Sequence, residues 1–441
     1  MMRIAVVGGG ISGLGAAWLL SNQHHVTLFE ANDYIGGHTN TVDVPGPGGT
    51  RVPIDTGFIV FNERNYPHLT GLLHTLEATT RASDMSFGFS DRKTGLEWAG
   101  DNLNTLFAQR RNLLNPRFIA MTLDILRFNR AGKRFLGQSG GEAMSLGEFL
   151  DQINAGQAVR ERYLLPMAAA IWSCPPETML HFPARRFLQF FDNHGLIDLT
   201  NRPLWQTVHN GGREYVRRML PAINGDSHSS TPVRQVRRKG DTVELFGDQG
   251  SLGEYDHVVL ASHADQALAM LEEPSFWEST LLGSIRYQRN EAWLHRDPAL
   301  MPRNRRVWSS WNYLAGNNQS QACVSYWMNR LQELQTDEQW FVTLNPPEPP
   351  ADALVFRRMD YDHPVFDTGA MRAQDMLPQI QGRDRVWFCG SYWGYGFHED
   401  ALRSAVNIAA AFDIRPPWTL MDTLPEQPAE TAPYPTDMET S

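Results

Sequence analysis

Arg3-Ile4-Ala5-Val6-Val7-Gly8-Gly9-Gly10-Ile11-Ser12-Gly13, carried on to His25-Val26-Thr27-Leu28-Phe29-Glu30, is the stretch that decides the fold. It reads as an apolar strand, a glycine turn, a helix to Leu20, a second strand and an acid at that strand's tip. Each part answers to an ADP moiety. Gly8, Gly10 and Gly13 let the backbone turn and approach a pyrophosphate. The helix start at Ile11 and Ser12 offers free N–H groups and a positive dipole end, and the Glu30 carboxylate accepts from ribose hydroxyls. A G-x-G-x-x-G run alone also occurs in loops that bind nothing. Strand, turn, helix, strand and acid in order within one βαβ unit make it a dinucleotide site in an α/β, Rossmann-like domain.

After Glu30 come Ala31 and, soon, a second glycine pair in Gly36-Gly37-His38-Thr39. With it the chain resembles the flavin-containing amine oxidase superfamily, whose N-terminal signature is G-x-G-x-x-G, an acid, then Gly-Gly-Arg-x-x-Thr. The resemblance implies FAD rather than NAD. It also places Thr56-Gly57-Phe58-Ile59 beside the flavin ring, the backbone of Val233 at the adenine, Gly390 and Ser391 at the ribityl or pyrophosphate region, and the helix start His398-Glu399-Asp400-Ala401 at the pyrimidine edge. A positive helix end there would stabilise the charge a reduced flavin gains. More narrowly, Asp55 to Pro67, Trp205 to Tyr215 and Tyr392 to Asp400 are similar to a bacterial group of predicted flavoproteins related to the flavin domain of plant cyclopropane fatty acid synthases. That likeness implies a lipid-type, acyl-chain substrate.

The family-like segments are separated by two long insertions. An amine-oxidase-like, two-domain architecture is therefore expected. Residues 1–75, 205–270 and 380–418 would form a discontinuous FAD-binding domain, and 76–204 with 271–379 an α+β substrate domain. Residues 419–441, rich in Pro, Glu and Thr, read as a disordered tail. Within the insertions, Met85–Ser90 reads as a short strand before mostly helical patterning, Glu291–His295, Val307–Tyr313 and Ala322–Met328 as strands of an antiparallel sheet with helices on one side, and Pro45 to Gly49 as a hairpin turn.

For chemistry, amine oxidases present two aromatic side chains at right angles to the flavin and a lysine held through water to the ring. Phe397 aligns with one aromatic, and Trp393 lies close by. The lysine is missing: the chain has only Lys93, Lys133 and Lys239, none within 286–328. His38 stands for the family arginine, and Ser391 where an acid commonly meets the ribityl chain. These departures point away from ordinary amine oxidation. The expected reaction is dehydrogenation or desaturation of a small, apolar, lipid-type molecule, with hydride passing to flavin. His398 either handles a proton or only hydrogen-bonds the cofactor. Two alternatives stay open: a flavin-dependent amine oxidase, and a non-catalytic flavoprotein partner of a lipid-modifying enzyme.

Composition narrows the partners. A net charge of −10 argues against nucleic acid, which needs a basic face. Cys174, Cys323 and Cys389 lack C-x-x-C spacing, so buried free thiols are expected and no metal site. No apolar run approaches the roughly 18–20 positions of a membrane span, and strand residues begin at Arg3, so a cytoplasmic protein is expected. One region departs from the average. Residues 110–134 interleave six arginines and Lys133 with leucines, isoleucines and phenylalanines against the single acid Asp124, reading as a helix pair. It is either a solvated face or a peripheral contact with anionic lipid. The sequence sets no oligomeric state.

Overall fold

The computed structural model describes residues 1–141, 144–198, 202–316 and 322–418; the expected tail, 419–441, lies outside the described residues. Five parallel strands form the sheet announced by the opening stretch. Their spatial order is Gly225–His228, His25–Phe29, Arg3–Val7, His257–Leu260, Val386–Phe388. Ile4, Ala5, Val6, Val26, Leu28 and Val258–Leu260 have no exposed surface. Near-continuous apolar runs are what a parallel sheet covered on both faces requires. Helices Ile11–Leu20 and His398–Ala411 pack side by side against it, close enough that a Cβ on Gly15 would stand 2.7 Å from Leu402 Cδ1. Chain order reverses between Arg3–Val7 and its two neighbours, which opens a crevice at the carboxyl ends of the strands, where Gly8, Glu30, Ala261 and Gly390 lie.

The second large sheet has seven strands, ordered Val355–Val365, Arg286–His295, Phe341–Leu344, Val324–Trp327, Trp311–Ala315, Phe87–Asp91, Leu96–Ala99. The strands from 286–344 pair antiparallel, as expected, and the sheet is extended by Phe87–Asp91, which runs parallel to Trp311–Ala315. The strand expected from Val307 begins at Trp311 instead. Before it the chain makes a 3-10 turn over Arg305–Val307, and Asn312 Oδ1 accepts the Ser309 N–H at 2.9 Å, a local bond that competes with the ladder. Helices Pro116–Leu136, Leu146–Gln152, Leu165–Trp172 and Ala184–Asn193 share a core with this sheet, centred on Phe128, Phe149, Phe187 and Phe191. Thr41–Pro45 and Arg51–Asp55 form the expected hairpin.

The basic stretch is a 3-10 turn, Arg110–Leu114, followed by one helix of 21 residues rather than a helix pair. Asn115 caps the helix by accepting the Arg117 N–H, Pro116 fits its first turn, and nothing breaks it before Gly137. No helix among the described residues is long and apolar enough to cross a membrane. All three cysteines are buried and unpaired, and burial pushes their thiols up to about 12.

Candidate functional site

One cavity of about 1910 Å³ runs from the crevice of the parallel sheet into the space between the seven-stranded sheet and its helices. At its nucleotide end the glycines are fixed by two different needs. Gly8 has φ +108°, and a Cβ there would meet the Ala261 carbonyl oxygen at 2.6 Å; on Gly13 it would stand 1.8 Å from the Gly8 oxygen. Those two are required by the protein's own packing. Gly10 is different, because a Cβ on it would meet nothing within 4 Å and would project into open cavity. Its glycine makes sense for a ligand that lies against the backbone. The helix that starts at Ile11 has no side-chain cap and no acid in its first turn, so its N-terminal N–H groups and dipole are left for an anion.

Glu30 is 6% exposed, and its orientation is set from three sides. Oε2 accepts the Gly9 N–H at 2.7 Å, and Oε1 accepts the Asn32 backbone N–H at 2.8 Å and its side-chain amide at 2.9 Å. Oε1 is filled by its two donors, and Oε2 keeps a lone pair for a ribose hydroxyl. Ala31 and Val233 line the same end. A Cβ on Gly37 would press on Gly10 Cα at 3.0 Å, so the two glycine turns touch. The donor set, the open face of Gly10 and the uncapped helix fit the ADP half of FAD.

Further in, His38, Thr56, Gly57, Phe58, Ile59, Gly390, Ser391, Phe397, His398 and Ala401 all line the cavity, as do Gly8, Gly10, Ile11 and Ser12. Gly13, Gly36 and Thr39 do not line it but shape it: Thr39 Oγ1 holds both Tyr215 OH and, at 3.0 Å, His398 Nε2. Tyr215 OH reaches the same nitrogen at 2.9 Å, and the Phe58 ring stacks on the imidazole at 3.8 Å. Burial drops His398 to about 3. It is therefore a neutral, immobilised ring with Nε2 engaged, far from the neutral-range pKa of an efficient general acid or base.

Three expected contacts are turned elsewhere. Glu399 accepts the His68 and Leu69 N–H groups at 2.9 and 3.0 Å, capping helix Pro67–Thr75, and burial raises it to about 7. Asp400 accepts from Tyr395 and Phe397 at 2.9 and 3.1 Å and ties the turn before the helix. Trp393 packs against Tyr392 and the core behind the parallel sheet, because the 3-10 turn Ser391–Trp393 carries it away from the cavity. None of the three lines the cavity.

Other residues enter from distant segments. Tyr361 and His363, from one strand, stand with His38 at ring separations of 4.9 and 5.4 Å, and His263 is 6.4 Å from His38. Burial lowers all three imidazoles, His363 to about 4. Phe397 stacks on Phe190 at 5.1 Å, with Trp172 4.7 Å from Phe190. Trp311 and Tyr326 face the cavity at 4.8 Å from each other; strand alternation turns Trp327 to the far side of the sheet, where it packs on Trp308, a residue of the turn before the strand that also packs on Phe341. No lysine lines the cavity. Arg330 does, but Asp84 and Asp101 hold it at 2.9 and 3.0 Å. Beyond these groups the lining becomes apolar, through Leu106, Phe107, Leu123, Ile125, Leu126, Met167 and Ile171.

Comparison with known proteins fits this geometry. The chain is 29% identical over 286 residues to the carotenoid phi-ring synthase of Streptomyces griseus, covering 58% of this chain and 52% of that protein. The chain thus spans about half the length of that curated relative. Among solved structures, a fatty acid isomerase from P. acnes that produces CLA superposes with TM-score 0.65 at 14% identity, covering 94% of this chain and 99% of that one. A putrescine oxidase bound to putrescine superposes with TM-score 0.67 at 17% identity, covering 93% and 99%. At such identities these two show the fold alone. The model of the flavin containing amine oxidoreductases matches residues 11–292, more than half of the chain, and its cofactor is the FAD that the glycine crevice fits; the chain belongs to that family.

Proposed function

We propose that the protein is an FAD-dependent oxidoreductase that dehydrogenates or desaturates a largely apolar, lipid-type substrate such as an acyl chain. The observation that carries this reading is the apolar arm. The cavity of about 1910 Å³ takes in the FAD crevice and continues past it, where its lining is mainly leucine, isoleucine, methionine and phenylalanine, from Leu106 and Phe107 to Leu126 and Met167. Such a wall stabilises a chain by burying it, at about 0.8 kcal/mol per CH₂ group, and offers an ammonium ion little.

Bound FAD supplies a two-electron acceptor; the chain's residues do the rest. Gly10, the start of helix Ile11–Leu20 and Glu30 would hold the ADP half. His398, clamped by Thr39, Tyr215 and Phe58, presents a fixed neutral edge and adds no positive charge. Glu399 and Asp400 spend their carboxylates on protein N–H groups, so the positive end of helix His398–Ala411 faces the cavity without acids projecting into it. Phe397, Phe190 and Trp172 exclude water beside it.

A second reading, amine oxidation, draws support from family membership and from Asp84 and Asp101 at the cavity wall, which exceed Arg330 by one negative charge. The test is anaerobic mixing of the yellow protein with acyl lipids and with polyamines. Bleaching by the lipids alone supports the proposal; bleaching by amines alone replaces it. A flavin that stays yellow with both favours a non-catalytic partner role.

A further inference from the structure

Six of the ten exposed large apolar side chains among the described residues gather in one region. Leu114 and Leu204 are 89 and 85% exposed, and Leu103, Leu113, Ile119 and Leu123 join them. Helix Pro116–Leu136 carries this patch on one face. Ile119, Ala120 and Leu123 are exposed in its first half, while Arg127, Arg130, Lys133 and Arg134 are exposed in its second, at helical spacing. Arg110, Arg111 and Arg117 flank the leucines of the preceding turn.

Lys133 is paired with Asp198, but none of these six arginines forms an ion pair with a carboxylate among the described residues. In a chain of net charge −10, six unpaired arginines around exposed leucines are a local reversal of sign. Apolar groups rimmed by arginine match hydrocarbon rimmed by anionic headgroups. Leu103, Leu123 and Leu204 also line the cavity, so its apolar arm reaches the surface within the patch.

We infer that this face docks on a bilayer bearing anionic lipid, with Leu113, Leu114, Ile119 and Leu123 entering the headgroup boundary and the arginines contacting the headgroups. The apolar arm then opens towards hydrocarbon rather than water. Docking depends on the patch alone and not on which compound is oxidised, so it can fail while the proposed reaction stands, and the reverse.

The experiment is co-sedimentation of the full, FAD-loaded chain with vesicles of phosphatidylcholine, alone or mixed with phosphatidylglycerol. Pelleting with the mixed vesicles only, and release by salt, is the expected result. Joint Arg127→Gln and Arg130→Gln substitution should weaken partitioning about thirtyfold, since each basic group near such a surface contributes about 1 kcal/mol. Leu114→Asp should abolish it, and Phe276→Asp, at an exposed apolar site elsewhere, should leave it unchanged. All four side chains are exposed, and retained yellow colour checks the fold. No pelleting with either vesicle, or pelleting indifferent to these substitutions, overturns the inference. So does a dimer in sedimentation velocity that Leu114→Asp dissolves, because the patch would then be covered by a second copy.

Discussion

Lowering the pH from 6 to 5 should destabilise the fold by about 4 kcal/mol, and buried imidazoles set the figure. Burial pulls His68, His194, His295 and His363 to about 4 and His398 to about 3. In the unfolded chain each titrates near ~6.5. Between those values the unfolded chain binds a proton that the native chain refuses, so each histidine costs about 1.4 kcal/mol per pH unit as the pH falls. Two carboxylates oppose them. Burial raises Asp55 and Glu399 to about 7, against about 4 when unfolded, so over the same interval the native chain holds the extra proton and each group adds stability on acidification. Over these seven groups the balance is about three protons, or about 4 kcal/mol per unit; His38 and His263, which burial also lowers, act in the same direction, and Asp400, which burial raises, opposes them. With an unfolding entropy near 2.1 cal/mol/K per residue, that lowers Tm by roughly 4 °C. Circular dichroism melts in excess FAD at constant ionic strength measure it. His295→Gln is the internal control, because His295 does not line the cavity and lies between Thr343 Oγ1 at 2.7 Å and the Asp297 N–H at 3.0 Å. It should remove about a third of the slope. A Tm that holds level or rises between pH 6 and 5, or a slope unchanged in His295→Gln, refutes the reasoning.

Gly10→Ala and Gly13→Ala should separate ligand from packing: the first protein folds but is isolated colourless, whereas the second, whose methyl would stand 1.8 Å from the Gly8 oxygen, fails to accumulate folded. Absorbance and yield report the two outcomes. Asp55→Ala strands the Gly212 N–H, the Thr41 hydroxyl and the Gln332 amide in the interior and should cost about 3–5 kcal/mol in urea unfolding. His398→Gln should keep its flavin and leave the pH profile of kcat without the loss of any neutral-range inflection, since the imidazole it replaces is neutral throughout that range. Leu126→Trp, narrowing the apolar arm, should raise KM for long acyl chains more than for short ones in steady-state assays.

Local geometry was legible in the sequence where it is contiguous. The opening βαβ unit, Glu30, the glycine pair at 36–37 and the loop at 56–59 sit at the crevice because a strand and the turn after it fix those atoms within a few residues. The site's far wall was not legible in the same way. Tyr361 and His363 reach the cavity, and Tyr215 reaches His398 behind its wall, through strand register and helix packing across 150 residues or more, and nothing in their own neighbourhoods announces it. Trp393 shows the opposite failure: it lies four residues from Phe397, yet a single 3-10 turn sends it to the other side of the chain. Glu399 and Asp400 were placed on the right helix start, but backbone N–H groups of the protein itself claimed their oxygens.

The two ends of the cavity answer to different constraints, and that is why family membership fixes one and leaves the other free. At the nucleotide end several glycines other than Gly10 are opposed by backbone: Gly8 by Ala261, Gly13 by Gly8, Gly57 by the His38 carbonyl at 2.3 Å from where a Cβ would stand. Substitution there moves main chain. The apolar arm, in contrast, is built from side chains of Pro116–Leu136 and Leu165–Trp172, helices that belong to the core of the seven-stranded sheet and not to the parallel one. A leucine there can be exchanged for another apolar group at a cost of about a kcal/mol, without reaching Glu30 or Gly10. The apolar arm can therefore vary on this scaffold without moving the nucleotide end, which is why the proposed choice of substrate is tested at its residues and not at the glycines.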